Sequence, residues 1–284
     1  MQPGAGLLQS FTASDGLRIA YRVDDFTKPW AGAETLVLLH SAMGCGRRFF
    51  SWIPDLAKHF RVVTPDLRGH GGSEIPSEDR PLTLARLVAD VTELMDHVGA
   101  PRAHYVGTAA GGYLGQRIAL DEPERVIRLS LFGSAPGLKQ SQALSWIPIV
   151  QEKGLRGFLA DTITDRFPIG QCDPELVEWF LDQAGANDPT YIARFITLMA
   201  DQDWSDEVAQ IRCPTMVVMP GLGKIGDHSA YEPMREIPDV VMTTYENTPN
   251  NVWDFAPSRC VADVIDFHAG ASGRGRPAEA NRKT

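Results

Sequence analysis

The sequence holds no apolar run near the roughly 20 residues that a membrane-spanning helix needs. Its first residues, Met1 to Gly6, also lack the basic start and apolar stretch of a secretory signal. A cytoplasmic protein with no membrane partner is the expectation. Basic residues are in deficit, with 27 Lys and Arg against 36 Asp and Glu and a formal net charge of −9. Four of the cations, Arg274, Arg276, Arg282 and Lys283, fall in the stretch 269–284, so the body is more acidic still. Such a surface repels phosphate backbones and argues against a nucleic-acid partner. Cysteine is sparse too. Cys45, Cys172, Cys213 and Cys260 stand far apart, with no C-x-x-C pair and no histidine at metal-ligand spacing, which points to reduced thiols, no metal and no cofactor.

What is present is ordinary for a globular chain. Of 284 residues, 43% are hydrophobic and 22% charged, a size and balance that suit one domain carrying a sizeable insertion. Leu7 to Thr12 and Leu17 to Val23 flank Asp15-Gly16, a hairpin signal. Buried strands are predicted at Thr35–His40, Arg61–Pro65, Ala103–Val106, Ile127–Phe132, Thr215–Met219 and Val240–Tyr245, where short apolar runs end at turn residues. Helices are predicted at 47–59, at 83–98 with Leu84, Leu87, Val88, Val91, Leu94, Met95 and Val98 on one face, after Val106 through Leu120, around Tyr231 to Glu236, and from Pro257 to about His268. Alternating strands and helices predict an α/β fold with a mostly parallel sheet covered on both sides. Residues 136–209 break the alternation with aromatic-rich helices begun by Asp173-Pro174 and Asp188-Pro189, and read as a lid. The core is then 1–135 with 210–268, the cap 136–209, and 269–284 a disordered tail.

The stretch that organises the chain is Val106-Gly107-Thr108-Ala109-Ala110-Gly111-Gly112. It reads as a nucleophile elbow, G-x-S-x-G, with alanine in place of serine. With it come His40-Ser41-Ala42 after a strand, the loop Asp66-x-Arg68-Gly69-x-Gly71-x-Ser73, Asp121-x-Pro123-x-Arg125-Val126, and the late strand after Pro214. In that order these segments resemble the α/β-hydrolase superfamily over residues 7–268. The resemblance implies an eight-stranded, mostly parallel sheet flanked by helices, a helical cap inserted after the sixth strand, and a site at the carboxyl ends of the strands. It also implies that the triad positions are Ala109 for the nucleophile, Lys224 for the acid and Asn250 for the histidine. Gly133-Ser134-Ala135, the other place for the acid, holds no carboxylate.

An alanine closes the acyl-enzyme route, and asparagine carries no titrating proton near neutral pH. The electrostatic part of the machinery needs only backbone, and the resemblance assigns it to the N–H groups of Ala42 and Ala110. Asp227 and His228 are the candidate replacements for the lost acid and base, the alternative being a solvated loop and helix cap. Ser41, Trp253, Trp146 and Phe180 are candidate substrate contacts, although most of the inserted aromatics are expected simply to pack the lid. Glu246 and Asp254 read as surface carboxylates, His40 as a structural histidine, and His59, His97, His104 and His268 as residues with no constellation around them.

Three functions fit. One is a cofactor-free lyase, isomerase or decarboxylase acting on a small apolar or aromatic carbonyl compound through the oxyanion hole. A second is a Ser-to-Ala variant of an ester, lactone or carbon–carbon bond hydrolase, and the third a non-catalytic ligand-binding protein. The expected partner is that small molecule, with a homodimer as the oligomeric alternative.

Overall fold

A computed structural model describes residues 6–139, 141–223, 225 and 227–269. Eight strands form one sheet: β1 (Gln9–Thr12), β2 (Arg18–Asp24), β3 (Thr35–Leu39), β4 (Arg61–Pro65), β5 (Ala103–Thr108), β6 (Val126–Phe132), β7 (Thr215–Pro220) and β8 (Val240–Tyr245). Their spatial order is β1-β2-β4-β3-β5-β6-β7-β8, with β1 and β2 antiparallel to their neighbours and the rest parallel. The helices are α1 (Ile53–Leu56), α2 (Leu84–His97), α3 (Ala110–Asp121), α4 (Ala143–Asp161), α5 (Pro174–Gly185), α6 (Pro189–Ala200), α7 (Val252–Phe255) and α8 (Pro257–Ala269). Helices α4 to α6 lie between β6 and β7 in the chain.

Alternation along the central strands builds two apolar layers. Val37 and Leu39 of β3 join α2 and α3 on one face, whereas Leu36 and Leu38 join α1 and α8 on the other. All five residues of β3 are therefore buried. Helix α2 starts where Thr83 accepts a hydrogen bond from the Arg86 amide at 3.1 Å, and it buries Leu87, Val88, Val91, Leu94 and Met95.

The glycine-rich loop after β4 is held by charge. Arg68 forks onto both oxygens of Asp90 at 2.7 Å and donates a third bond to Asp15, also at 2.7 Å. Asp66 accepts from the amides of Gly46 and Gly72 at 2.7 and 2.8 Å, so the three carboxylates tie the loop to α2, to the β1–β2 hairpin and to the segment before α1.

Two predicted helices are different in the fold. Residues 47–59 form a 3-10 turn at Gly46–Phe49 and the single-turn α1, because Pro54 has no N–H to continue a ladder through the segment. The stretch near Tyr231 is a 3-10 helix spanning His228–Glu236, interrupted by Pro233 for the same reason. The predicted tail lies outside the described residues, apart from Ala269 at the end of α8.

The expectation that His104 and His268 stand alone is corrected. Ser130 Oγ lies 2.7 Å from His268 Nε2, His268 Nδ1 lies 2.9 Å from His104 Nδ1, and His104 Nε2 lies 2.9 Å from Glu34. One assignment satisfies every atom: Ser130 donates to His268, His268 to His104, and His104 to the carboxylate, with both rings neutral. Burial pushes both rings below the ordinary imidazole range. The unfolded chain takes up these protons near pH 6.5 and the folded chain does not, so stability is full above that pH and declines below it. The urea midpoint is expected to fall between pH 7.5 and 5.5, and a midpoint unchanged over this range would mean that the folded pair already carries a charge.

Candidate functional site

The elbow is built by backbone contact. Ala109 has φ 44° and ψ −112°, and it is one of two non-glycine residues with positive φ among the described residues. That conformation costs of order 1–3 kcal/mol and needs surroundings that enforce it. They are visible: Ala109 N donates to Phe132 O at 2.9 Å, while its own carbonyl accepts from Gly112 N at 2.9 Å, Tyr113 N at 3.2 Å and Ser134 Oγ at 2.9 Å. A Cβ on Gly107 would lie 2.4 Å from the Gly112 backbone, and one on Gly111 would lie 2.1 Å from Leu39 O. Only glycines let α3 start this close to β3 and β5.

The loop after β3 is fixed by two buried histidines. His40 Nδ1 donates to Ser41 O at 2.8 Å and its Nε2 accepts from Leu67 N at 2.9 Å, a neutral ring with both nitrogens used, in keeping with burial driving its pKa down. His70 Nε2 lies 2.6 Å from Ala42 O and fixes the Ala42–Met43 peptide, while the His40 bond to Ser41 O fixes the peptide that carries the Ala42 N–H.

Both loops open on one cavity of about 770 Å³, mouth included, within the range of small-molecule sites. Ser41, Ala42, Ala109 and Ala110 line its floor. Asn250 and Trp253 line it from the segment after β8, and Trp146 and Phe180 from the inserted helices. Ala110 is the first residue of α3, so its N–H has no acceptor within the helix.

Asp227 and His228 are not on this wall. His228 is exposed with Nε2 bonded to Pro220 O at 2.8 Å, and Asp227 accepts from Ser229 N at 2.9 Å as the cap of the following 3-10 helix. Asp227 does line an adjoining cleft that shares Tyr113, Gly133 and Asn250 with the main cavity. Lys224 lies outside the described residues.

Several wall residues carry no local sequence signal. Arg48 and Arg166 reach the cavity from segments 118 residues apart in the chain, and Tyr113 from the elbow helix. Asp254, expected at the surface, is buried. Arg48 Nε donates to it at 2.8 Å, its Nη2 pairs with the other oxygen, and Asn251 Nδ2 adds a bond at 3.0 Å. Burial is the largest influence on Asp254 and pushes its pKa up, with Arg48 pulling the other way. Asn250 Nδ2 bonds Asn251 Oδ1 at 3.3 Å, so Asn250 heads a chain of amides ending in an ion pair. The same segment grips the insertion through backbone, Asn250 N to Asp165 O at 3.0 Å and Asn251 N to Arg166 O at 3.1 Å.

Among the described residues, the wall carries no His, Asp, Glu, Cys or Lys. Tyr113 stays protonated, because burial raises its pKa far above neutrality. No group of three His, Cys, Asp or Glu among the described residues is placed to hold a metal ion.

Comparison with known proteins agrees with this fold. A family model described as the alpha/beta hydrolase fold matches residues 34–169. The 3-oxoadipate enol-lactonase 2 of Acinetobacter baylyi is 30% identical over 57% of this chain and 60% of its own length. A Caulobacter vibrioides protein named for a proposed carbamate hydrolase activity is 42% identical over 36% of this chain and 37% of its own. The chain thus spans between about a third and three fifths of these curated relatives. A hydrolase from Pseudomonas aeruginosa superimposes with TM-score 0.81 at 29% identity, covering 93% of this chain and 98% of that one. The enol-lactonase of Burkholderia xenovorans shares the fold with TM-score 0.82 at 21% identity, covering 92% and 100%.

The Arg48–Asp254 pair sets the stability of this region. Asp254→Asn keeps the shape and leaves a buried guanidinium without its counter-charge, so a loss of about 3–5 kcal/mol in urea unfolding is expected. Arg48→Met with Asp254→Leu removes both charges, and its loss should be much smaller.

Proposed function

We propose that this chain, a member of the α/β-hydrolase superfamily, binds a small apolar or aromatic carbonyl compound under a cap formed by its inserted helices. On that compound it promotes cofactor-free chemistry of the lyase, isomerase or decarboxylase type. The retained elbow carries the reading: Ala109 keeps its φ of 44° and places Ala110 on the cavity wall, although alanine has no atom with which to attack a carbonyl. A strained backbone kept without its nucleophile retains its use as a holder of amides.

In this reading the carbonyl oxygen sits between the Ala42 and Ala110 N–H groups. As the bond to the departing fragment breaks, its electron pair passes through the α-carbon onto that oxygen and gives an enolate. The amides stabilise the negative charge, the departing fragment leaves as the electron-poor partner, and water returns a proton to carbon. Oxyanion donors of this kind contribute about 2.7–4 kcal/mol each where they have been removed singly. Binding and oxyanion contacts alone leave roughly 10³–10⁴ of acceleration in triad enzymes stripped of their side chains. Heterolysis suits the site better than proton abstraction, since the described part of the wall offers no base.

Two other readings have an observation behind them. Relatives named for carbamate and enol-lactone hydrolysis favour a hydrolase whose serine has become Ala109. The lack of an acid or base on the described wall favours a ligand-binding protein without turnover.

One pair of measurements separates them. Ala109→Ser alone is expected to hydrolyse p-nitrophenyl acetate no faster than buffer, because Asn250 cannot take the serine proton. Rapid turnover in that variant would favour the hydrolase. Benzylacetone labelled with ¹³C at its carbonyl should bind with the carbonyl resonance moved downfield by the two amides, and binding without that movement would overturn the oxyanion role.

A further inference from the structure

We propose that the natural ligand is an anion, a carbonyl compound that also bears a carboxylate, and that Arg166 holds this carboxylate. The inference rests on the reading of the cavity as a carbonyl-binding site and specifies the class of its ligand.

Charge in the cavity is mismatched. Two guanidinium groups, Arg48 and Arg166, line the cavity, and no carboxylate of the described residues lines it with them. Arg48 is matched, since Asp254 takes two of its nitrogens from behind. Arg166 is not. It is 6% exposed, and its only hydrogen-bond acceptors among the described residues are the carbonyl oxygen and the hydroxyl of Thr162, at 3.1 and 2.6 Å. Both are neutral, and both bond to Nη1. Nε and Nη2 are left for another acceptor, and these two nitrogens form one edge of the planar fork.

Arg166 nevertheless stays charged and in place. Asp165, next in the chain, favours the cation through space, whereas burial and Arg48 pull its pKa down to about 10, still a cation at neutral pH. Its guanidinium carbon lies 5.4 Å from the Phe158 ring centroid and 6.0 Å from that of Trp146. Its backbone carbonyl accepts the Asn251 amide, so the residue is fixed to the core as well as to the insertion.

A buried cation that lacks a counter-charge is costly, and proteins ordinarily pair it. A guanidinium edge accepts a carboxylate through two parallel bonds, a match that a lone ketone or ester oxygen does not offer. The remaining wall, with Trp146, Phe180, Phe195 and Met199, suits an apolar or aromatic body between the carboxylate and the carbonyl. The protein as a whole carries net charge −9, so this cationic patch inside the cavity is a local reversal of the surface field.

The probes are 4-oxo-4-phenylbutanoate and its uncharged amide, 4-oxo-4-phenylbutanamide, titrated calorimetrically into the full chain. Wild type is expected to bind the acid at least about tenfold more tightly than the amide, as for a buried charge-assisted pair. Arg166→Met should lose that preference while still binding the amide, and Arg166→Lys should keep part of it, the charge remaining without the fork. Should Arg166→Met fail to fold by circular dichroism, the wild-type preference and the Lys variant decide. Equal binding of acid and amide by wild type overturns the inference and leaves the carbonyl-binding reading standing. An acid preference undiminished in the folded variants also overturns it, placing the carboxylate elsewhere. Failure of both compounds to bind overturns both readings.

Discussion

The close approach of α3 to the ends of β3 and β5 is the constraint from which the rest of the site follows. Gly107 and Gly111 permit it, since a single Cβ at either would collide with backbone that has nowhere to move. Once the helix starts there, Ala109 is forced into positive φ and Ala110 becomes the first residue of the helix, with its N–H turned out of the helical ladder. The Ala42 N–H, the second amide of the proposed oxyanion site, is set by a different device, the buried His40 on the Ser41 carbonyl of the same peptide. Neither device uses a side chain that contacts a ligand. The backbone arrangement therefore does not depend on which side chains face the cavity.

Electrostatics divides the molecule in a consistent way. Carboxylates do structural work away from the cavity: Asp66 and Asp90 hold the loop after β4, and Asp254 sits behind Arg48. The cavity itself is lined by cationic, uncharged polar and apolar groups among the described residues. A hydrolase triad requires an acid and a base converging on one nucleophile, and among the described residues this wall holds neither. In the proposed function, stabilising negative charge, on a carbonyl oxygen or on a carboxylate, is the task that its groups share.

The sequence makes the sheet legible for a physical reason. A parallel strand covered on both faces must be apolar throughout, and Thr35–Leu39 or Thr215–Pro220 cannot be mistaken for much else. The elbow is legible because small residues at fixed spacing mark a steric requirement. Helix continuity at 47–59 is misread because the apolar spacing there outweighs Pro54. Charged and histidine networks are invisible for another reason: Arg48 and Asp254 are 206 residues apart, and His104 and His268 are 164 apart. Their pairing exists only once the sheet has brought β5, α8 and the loop after β3 together. Asp227 and His228 attract attention as an adjacent acid and base, yet adjacency in sequence says nothing about which way a 3-10 helix start faces.

The two backbone bonds from Asn250 and Asn251 to Asp165 and Arg166 carry a consequence for how such a site changes over generations. Because they use main-chain atoms, no substitution short of proline removes them. Residues at 250 and 251 can therefore be exchanged, as an asparagine for a histidine, without releasing the insertion from the core. The architecture separates the shape of the chamber from the reaction conducted in it, and chemistry can be lost or replaced there while the chamber persists.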